Sequence, residues 1–114
     1  MAYSRYDFEE SLNRAEGFKR EDIAECIASW GYSPEGGGSW NGGFLLKLRD
    51  GRYAYLTGWC DYTGWGCQDG ATTTFHAEKP VTSEIESDGD AKWDDMPGDL
   101  NRWLRGEIKD FDQE

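Results

Sequence analysis

Apolar and polar residues alternate most clearly in two runs, residues 44–49 and 52–57, which flank Asp50 and Gly51. Alternation with a period of two is typical of strands, and Asp-Gly between two such runs favours a hairpin with a type I′ turn. That turn would pair Leu48 with Tyr53. It predicts a core face made of Phe44, Leu46, Leu48, Tyr53 and Tyr55. The second face would carry the remaining side chains, namely Lys47, Arg49 and Arg52 with Leu45, Ala54 and Leu56.

Three other segments show helical spacing of apolar residues. Residues 7–16 have Phe8, Leu12 and Ala15 at i, i+4 and i+7, and residues 19–30 show the same spacing. Gly31 after the second segment fits a helix C-terminus. A tail helix is predicted from Pro97, which fits the first helical turn. Its apolar stripe is Leu100, Trp103, Leu104, Ile108 and Phe111.

The connecting segments are rich in glycine. Residues 33–43 are predicted to be a loop from which Trp40 folds back onto the core, and residues 58–70 are predicted to be a second loop. Residues 71–78 and 81–87 alternate and are predicted to be strands. The order of elements predicts one α+β domain over residues 1–114, with a small antiparallel sheet and N-terminal and C-terminal helices packed on one face.

Composition supports a folded chain. Of its 114 residues, 37% are hydrophobic and 15% aromatic, whereas disordered chains are poor in aromatic residues. No apolar run approaches the roughly 18 residues that a membrane-spanning helix needs. The first residues also lack the apolar core of a signal peptide. We therefore expect a cytoplasmic protein that does not bind membranes.

The net charge is −11. Such a charge disfavours direct binding to nucleic acids or anionic membranes and favours a basic partner, although solubility alone also explains acidic chains. Acidic residues follow one another closely near the end of the chain, with only Lys92 among them. These are Glu84, Glu86, Asp88, Asp90, Asp94, Asp95 and Asp99. A surface of this kind can take the place of phosphates in a basic groove.

The cysteines and the only histidine suggest little chemistry. Without an export signal we expect Cys26, Cys60 and Cys67 to be free thiols, with a Cys60–Cys67 bridge as the alternative. Their spacing lacks the knuckle of structural zinc sites. Cys60, His76 and Asp61 could form a nucleophile, base and acid, but no oxyanion motif accompanies them. We expect no catalytic residue, metal or cofactor.

The glycine-rich segment 58–70 contains two tryptophans. Trp and Tyr are frequent interface anchors, and glycine permits close backbone approach. One interpretation is a recognition loop in which Trp59, Asp61, Tyr62 and Trp65 contact a partner. The other is that these rings close the end of a small core.

Segments 58–70 and 99–107 together resemble small phage-encoded anti-defence inhibitors of the anti-CRISPR type. The resemblance implies a non-enzymatic inhibitor, active in the host cytoplasm, that binds a basic surface of a nucleic-acid-handling host protein as a nucleic-acid mimic. The alternative is a protein that binds or sequesters a nucleotide-like ligand through the aromatic segment with Lys47, Arg49 and Arg52. A homodimer could cover Leu45, Ala54 and Leu56 on the second sheet face.

Overall fold

The computed structural model describes residues 5–32, 40–64, 66–82, 85, 93–94 and 97–109; at 5–6, 32, 61–64 and 66–69 it describes the backbone alone. Helix α1 spans Arg5–Asn13, and a 3₁₀ turn spans Arg20–Asp22. The strands are β1 (Ile23–Tyr32), β2 (Trp40–Leu48), β3 (Tyr53–Gly64) and β4 (Gly66–His76), and helix α2 is Gly98–Leu104.

The four strands form one antiparallel sheet in the order β1-β2-β3-β4. Both helices contribute side chains to a single core on one face of this sheet: Phe8 of α1 contacts the rings of Phe44 and of Trp103 in α2, with centroids 4.6 and 5.7 Å apart. The prediction of an α+β fold with an antiparallel sheet and helices on one face is confirmed.

The register of the hairpin differs by one residue from the prediction. Lys47 pairs with Tyr53 and Leu46 with Ala54. The Gly51 amide donates to the Leu48 carbonyl (3.1 Å), and Gly51 has φ 97°. This is a three-residue connection in which the glycine takes the left-handed position after a tight turn, rather than the two-residue turn that Asp-Gly favours.

A shift of one residue moves every side chain of one strand to the other face. The side chains that face the helices are therefore Phe44, Leu46, Leu48, Ala54 and Leu56, each at most 1% exposed. The prediction that Tyr53 and Tyr55 belong to this core is wrong: both lie on the second face, half-buried. The prediction that Ala54 and Leu56 lie on the second face is also wrong, since the helices cover both residues, and Leu45 is already fully buried within one chain.

Strand β1 occupies most of the segment that was predicted to be a helix. Its pairing with β2 is irregular between Ile23 and Glu25 and again between Cys26 and Ala28. Each bulge adds a residue, so the buried positions are not strictly alternate. Burial at Ile23, Cys26 and Trp30 then has spacings of three and four residues, which imitate a helix.

The segment 58–70 is not a loop. Except for residue 65, which lies outside the described residues, it continues β3 and begins β4. The predicted strand at 71–78 is confirmed as far as His76, and Trp40 is buried at the start of β2. For the predicted strand at 81–87, the described residues Val81, Thr82 and Ile85 lie in no strand, and the others are outside the described residues.

The two predicted terminal helices form. Phe8 and Ser11 of α1 are buried on the stripe that begins at Phe8. Helix α2 ends earlier than its apolar stripe suggests. The Glu107 amide donates to the Arg102 carbonyl (2.8 Å) and the Gly106 amide to the Trp103 carbonyl (3.0 Å), with Gly106 at φ 79°. This Schellman motif terminates the helix at a glycine.

Candidate interaction site on strands β3 and β4

Cross-strand pairing arranges the second sheet face in rows. One row is Trp30, Gly43, Thr57 and Thr72, and the next row outward contains Asn41, Trp59 and Gly70. Directly opposed residues in antiparallel strands have Cβ atoms about 5 Å apart. In each row a tryptophan lies directly opposite a glycine: Trp30 opposite Gly43, and Trp59 opposite Gly70. The glycine leaves space for the indole ring of its neighbour.

Trp59 is the large aromatic side chain at the outer end of this face. A Cβ atom on Gly70 would lie only 2.8 Å from Cζ2 of Trp59 and 3.1 Å from its Nε1. The indole therefore lies against the bare backbone of β4. Its outward surface leaves the side chain 43% exposed. The result is a ring fixed on a β-ladder with one face available for contact.

A glycine opposite the ring also allows Trp30 to be buried, one row further inward. A Cβ atom on Gly43 would lie 2.0 Å from Trp30 Nε1, so only glycine leaves room for this ring. Trp30 Nε1 donates to the Tyr55 hydroxyl (2.8 Å), and the ring of Trp93 lies 5.7 Å from that of Tyr55. Trp30 is consequently 4% exposed and part of the structure. Of these two tryptophans, Trp59 is the one that can reach a partner.

The hairpin of β3 and β4 extends past the rest of the sheet. The β2–β3 pairing ends at Trp40 and Cys60, whereas β3 and β4 stay paired to Gly64 and Gly66. Among the described residues, the outer part of this hairpin pairs only with itself. Trp59 thus lies at the base of a two-stranded projection, a position from which a partner can be contacted on more than one side.

The structure describes the four predicted anchor residues to different extents. Trp59 is exposed, and Asp61 and Tyr62 lie in the outer part of β3, where only the backbone is described. Trp65 is outside the described residues. The hairpin thus brings Trp59, Asp61 and Tyr62 into one strand instead of the predicted loop.

Most of the predicted acidic surface lies outside the described residues: Glu84, Glu86, Asp88, Asp90 and Asp95. Asp94 is described, and its backbone exchanges two hydrogen bonds with Ser29 at the outer edge of β1 (2.9 and 2.6 Å). Asp99 lies in α2, 3.6 Å from Arg102. Three strand spacings, about 14 Å, separate Asp94 from β3, so Asp94 does not adjoin Trp59.

The structure does not bring Cys60 and His76 together as a nucleophile and a base. Cys60 is disulfide-bonded, so the expectation of a free thiol is wrong there, whereas Cys26 is a buried free thiol. Burial raises the pKa of the Cys26 thiol well above its ordinary range. His76 pairs with Tyr53, seven residues from Cys60 along β3, or about 23 Å. Among the described residues, no group of three or more potential metal ligands occurs.

The three cations of the hairpin do not form a common site. Arg49 donates through its backbone amide to the Asp22 carbonyl (2.8 Å) and through Nε to the Glu21 carbonyl (3.0 Å). Arg52 binds Asp50 (2.8 Å) and lies 4.5 Å from the Phe75 ring centroid. These two arginines hold the turn in place. Lys47 remains on the second face, exposed to solvent.

Within the described part of the chain, no helix has the length and apolar character needed to cross a membrane. Comparison with protein-family models, with curated proteins and with solved structures finds no match to this chain.

Proposed function

We propose that this protein is a non-enzymatic binding protein that recognises a basic surface of a partner through the outer part of the β3–β4 hairpin. The observation that carries the proposal is Trp59, 43% exposed while fixed against Gly70. Interface hot spots are enriched in Trp and depend on a well-ordered side chain. A ring already immobilised on a sheet loses little further conformational entropy on binding.

The charge of the chain supports a basic partner. With 23 acidic and 12 basic residues, the protein as a whole attracts cationic surfaces and disfavours polyanions such as nucleic acids. We propose a nucleic-acid-handling host protein, such as a CRISPR effector, as the partner class. Inhibition would follow if the acidic surface occupied the partner's nucleic-acid groove. Trp59 would supply the apolar contact, and the acids from Glu84 to Asp99 would supply the attraction.

A non-enzymatic role agrees with the state of the cysteines. The disulfide at Cys60 removes the nucleophile from the one catalytic arrangement that the sequence suggests. Cys26 is 2% exposed, and its raised pKa keeps the thiol protonated at neutral pH. Its Sγ lies 3.3 Å from the Ala28 carbonyl, to which it donates. Cys26 therefore has a structural role, as a small buried side chain of the core.

The test begins with capture of partners on tagged protein, followed by titration of the purified partner. Trp59→Ala should weaken binding about thirtyfold, because an aromatic hot spot contributes about 2 kcal/mol or more. Val81→Ala is the matched control, since Val81 is also exposed and apolar (55%) but lies off the hairpin. We expect this variant to bind within about twofold of wild type.

Charge is tested separately on the same purified partner. Reversal of Glu84, Glu86, Asp88 and Asp90 to lysine should slow association and remove most of its salt dependence. Because reducing compartments open disulfides, each titration is run with and without dithiothreitol. Equal affinity of wild type and Trp59→Ala would refute the anchor. A partner without a basic, nucleic-acid-binding surface would refute the proposed partner class.

A further inference from the structure

A cleft of about 460 Å³ lies beside the edge strand β1, where the cross-strand row of Glu25, Lys47 and Tyr53 approaches α2. Its volume is in the range of small-ligand sites. The polar side chains that line it come from β1, β2, β3, the segment after β4 and α2. They are Glu25, Lys47, Tyr53, Lys79, Asn101 and Arg105.

Three of these side chains are cations and one is an acid, so the lining is positive in a chain with a net charge of −11. Among the described residues, neither Lys47 nor Lys79 forms an ion pair, whereas Arg52, Arg102 and Arg105 each have an acidic partner. Glu25 is the direct cross-strand neighbour of Lys47, yet the two side chains form no salt bridge. Within the described part of the chain, two lysines without an acidic partner therefore face one cleft, in a protein with a surplus of carboxylates.

Arg105 retains donors for a ligand. Its Nε donates to Glu107 (2.6 Å), which leaves the terminal guanidinium N–H groups. Hydrogen bonding to Glu107 also raises the pKa of Arg105, so this side chain stays charged. Lysine and arginine together are the usual side-chain donors to phosphate oxygens.

The framework of the cleft is held by Asn101. Its side-chain oxygen accepts from the Cys26 amide (2.7 Å), and its Nδ2 donates to the Cys26 carbonyl (2.9 Å). The Arg105 amide donates to the Asn101 carbonyl (3.0 Å). Asn101 thereby joins α2 to the edge of β1 and fixes the backbone that carries Arg105. On the opposite wall, Tyr53 is the direct neighbour of Lys47 and presents an aromatic ring.

We infer that this cleft binds a small phosphate-bearing molecule of about mononucleotide size. The phosphate group lies among Lys47, Lys79 and Arg105, and the organic part lies along Tyr53. This site is distinct from the hairpin that carries Trp59, and the inference does not depend on the proposed protein partner.

The test is a titration of isotope-labelled protein, followed by amide NMR, with inorganic phosphate, adenosine monophosphate and adenosine at matched ionic strength. We expect saturable shifts at the amides of Lys47, Tyr53 and Arg105, and tighter binding of adenosine monophosphate than of phosphate. Lys47→Gln and Arg105→Gln should each weaken binding about threefold to tenfold. Lys109→Gln removes the same charge from a residue that does not line the cleft, and should leave the affinity within about twofold.

Three results would overturn the inference. Shifts that never saturate indicate only non-specific attraction of anions. An equal loss in Lys109→Gln attributes binding to net charge instead of the cleft. Equal binding of adenosine and adenosine monophosphate means that the phosphate is not recognised. Lys47 is exposed and forms no ion pair among the described residues, so Lys47→Gln should fold normally and remain informative.

Discussion

Replacement of Gly58 by alanine tests how α1 is seated on the sheet. Gly58 lies in β3 on the face that the helices cover, and a Cβ atom there would lie 1.8 Å from Oγ and 2.8 Å from Cβ of Ser11. Ser11 is 1% exposed, and its hydroxyl donates to the Asp7 carbonyl (3.0 Å). Rotation of the hydroxyl relieves the first clash but leaves the second, so α1 itself must move.

The cost follows from this geometry. Insertion of a methyl group into a packed core costs about 1–3 kcal/mol. Because the side chain alone cannot make room, we expect the upper part of that range, about 2–3 kcal/mol in the free energy of unfolding. For a domain of about 100 residues, this corresponds to a fall of roughly 10–20 °C in the melting temperature.

The assay is urea unfolding followed by circular dichroism, with two companion variants. Ser11→Gly removes both close atoms and leaves Ser11 Cα at 3.5 Å, an ordinary contact. The double variant should therefore recover at least about 1 kcal/mol relative to additivity. Gly98→Ala is the control, since a Cβ atom there meets nothing within 4 Å. A neutral Gly58→Ala, or a cost that persists with Ser11→Gly, would contradict this packing.

Three further predictions concern the edge of the sheet, the buried thiol and the exposed tryptophan. Asn101→Ala should lower the free energy of unfolding by about 2–3 kcal/mol, because two hydrogen bonds to Cys26 are lost; unchanged urea unfolding would contradict this. The raised pKa of Cys26 stabilises the folded state below the thiol's ordinary value of 9.0, and that stability should be lost as pH rises above it. Cys26→Ala should lose less stability between about pH 8 and 10 than wild type; parallel curves would refute the argument. Gly70→Ala should displace the exposed Trp59 ring at a cost below about 1 kcal/mol, seen as changed tryptophan fluorescence with nearly unchanged unfolding.

The hairpin shows how far a local pattern predicts the fold. Alternation and the Asp-Gly pair correctly predicted two paired strands with a turn at residues 50–51. The register depended on whether the connection had two or three residues, and both use glycine with positive φ. In the observed register, Leu56 and Ala54 join Phe44 on the core face, which removes two tyrosines from it. Burial against α1 and α2, which no local pattern contains, selects this register.

The helix predicted over residues 19–30 was wrong for a different reason, since most of this segment forms strand β1 (Ile23–Tyr32). Its two irregularities interrupt the period of two, and the remaining apolar spacing equals that of a helix. The ring of Trp30 then needs Gly43 opposite, on another strand. Such cross-strand complementarity depends on pairing over more than ten residues and is invisible within a short window.

The candidate sites were predictable to unequal degrees. Trp59 was singled out from an aromatic, glycine-rich segment, and its placement against the backbone of β4 is now explained by Gly70 opposite. Its role as an anchor remains a proposal. The cleft was missed, because its cations Lys47, Lys79 and Arg105 are 32 and 26 residues apart along the chain. The sequence analysis named Lys47 for a nucleotide-like ligand, but grouped it with Arg49 and Arg52 instead of with Lys79 and Arg105.

The two sites are far enough apart to be tested independently. The row that contains Lys47 and Tyr53 and the row that contains Trp59 are separated by six residues of β3, or about 20 Å. That distance exceeds the screening length of roughly 8 Å at physiological ionic strength. Lys47→Gln should therefore leave partner binding unchanged, and Trp59→Ala should leave phosphate binding unchanged. If either variant altered both, the rigid sheet between them would have to transmit the change, and the sites would form one coupled surface.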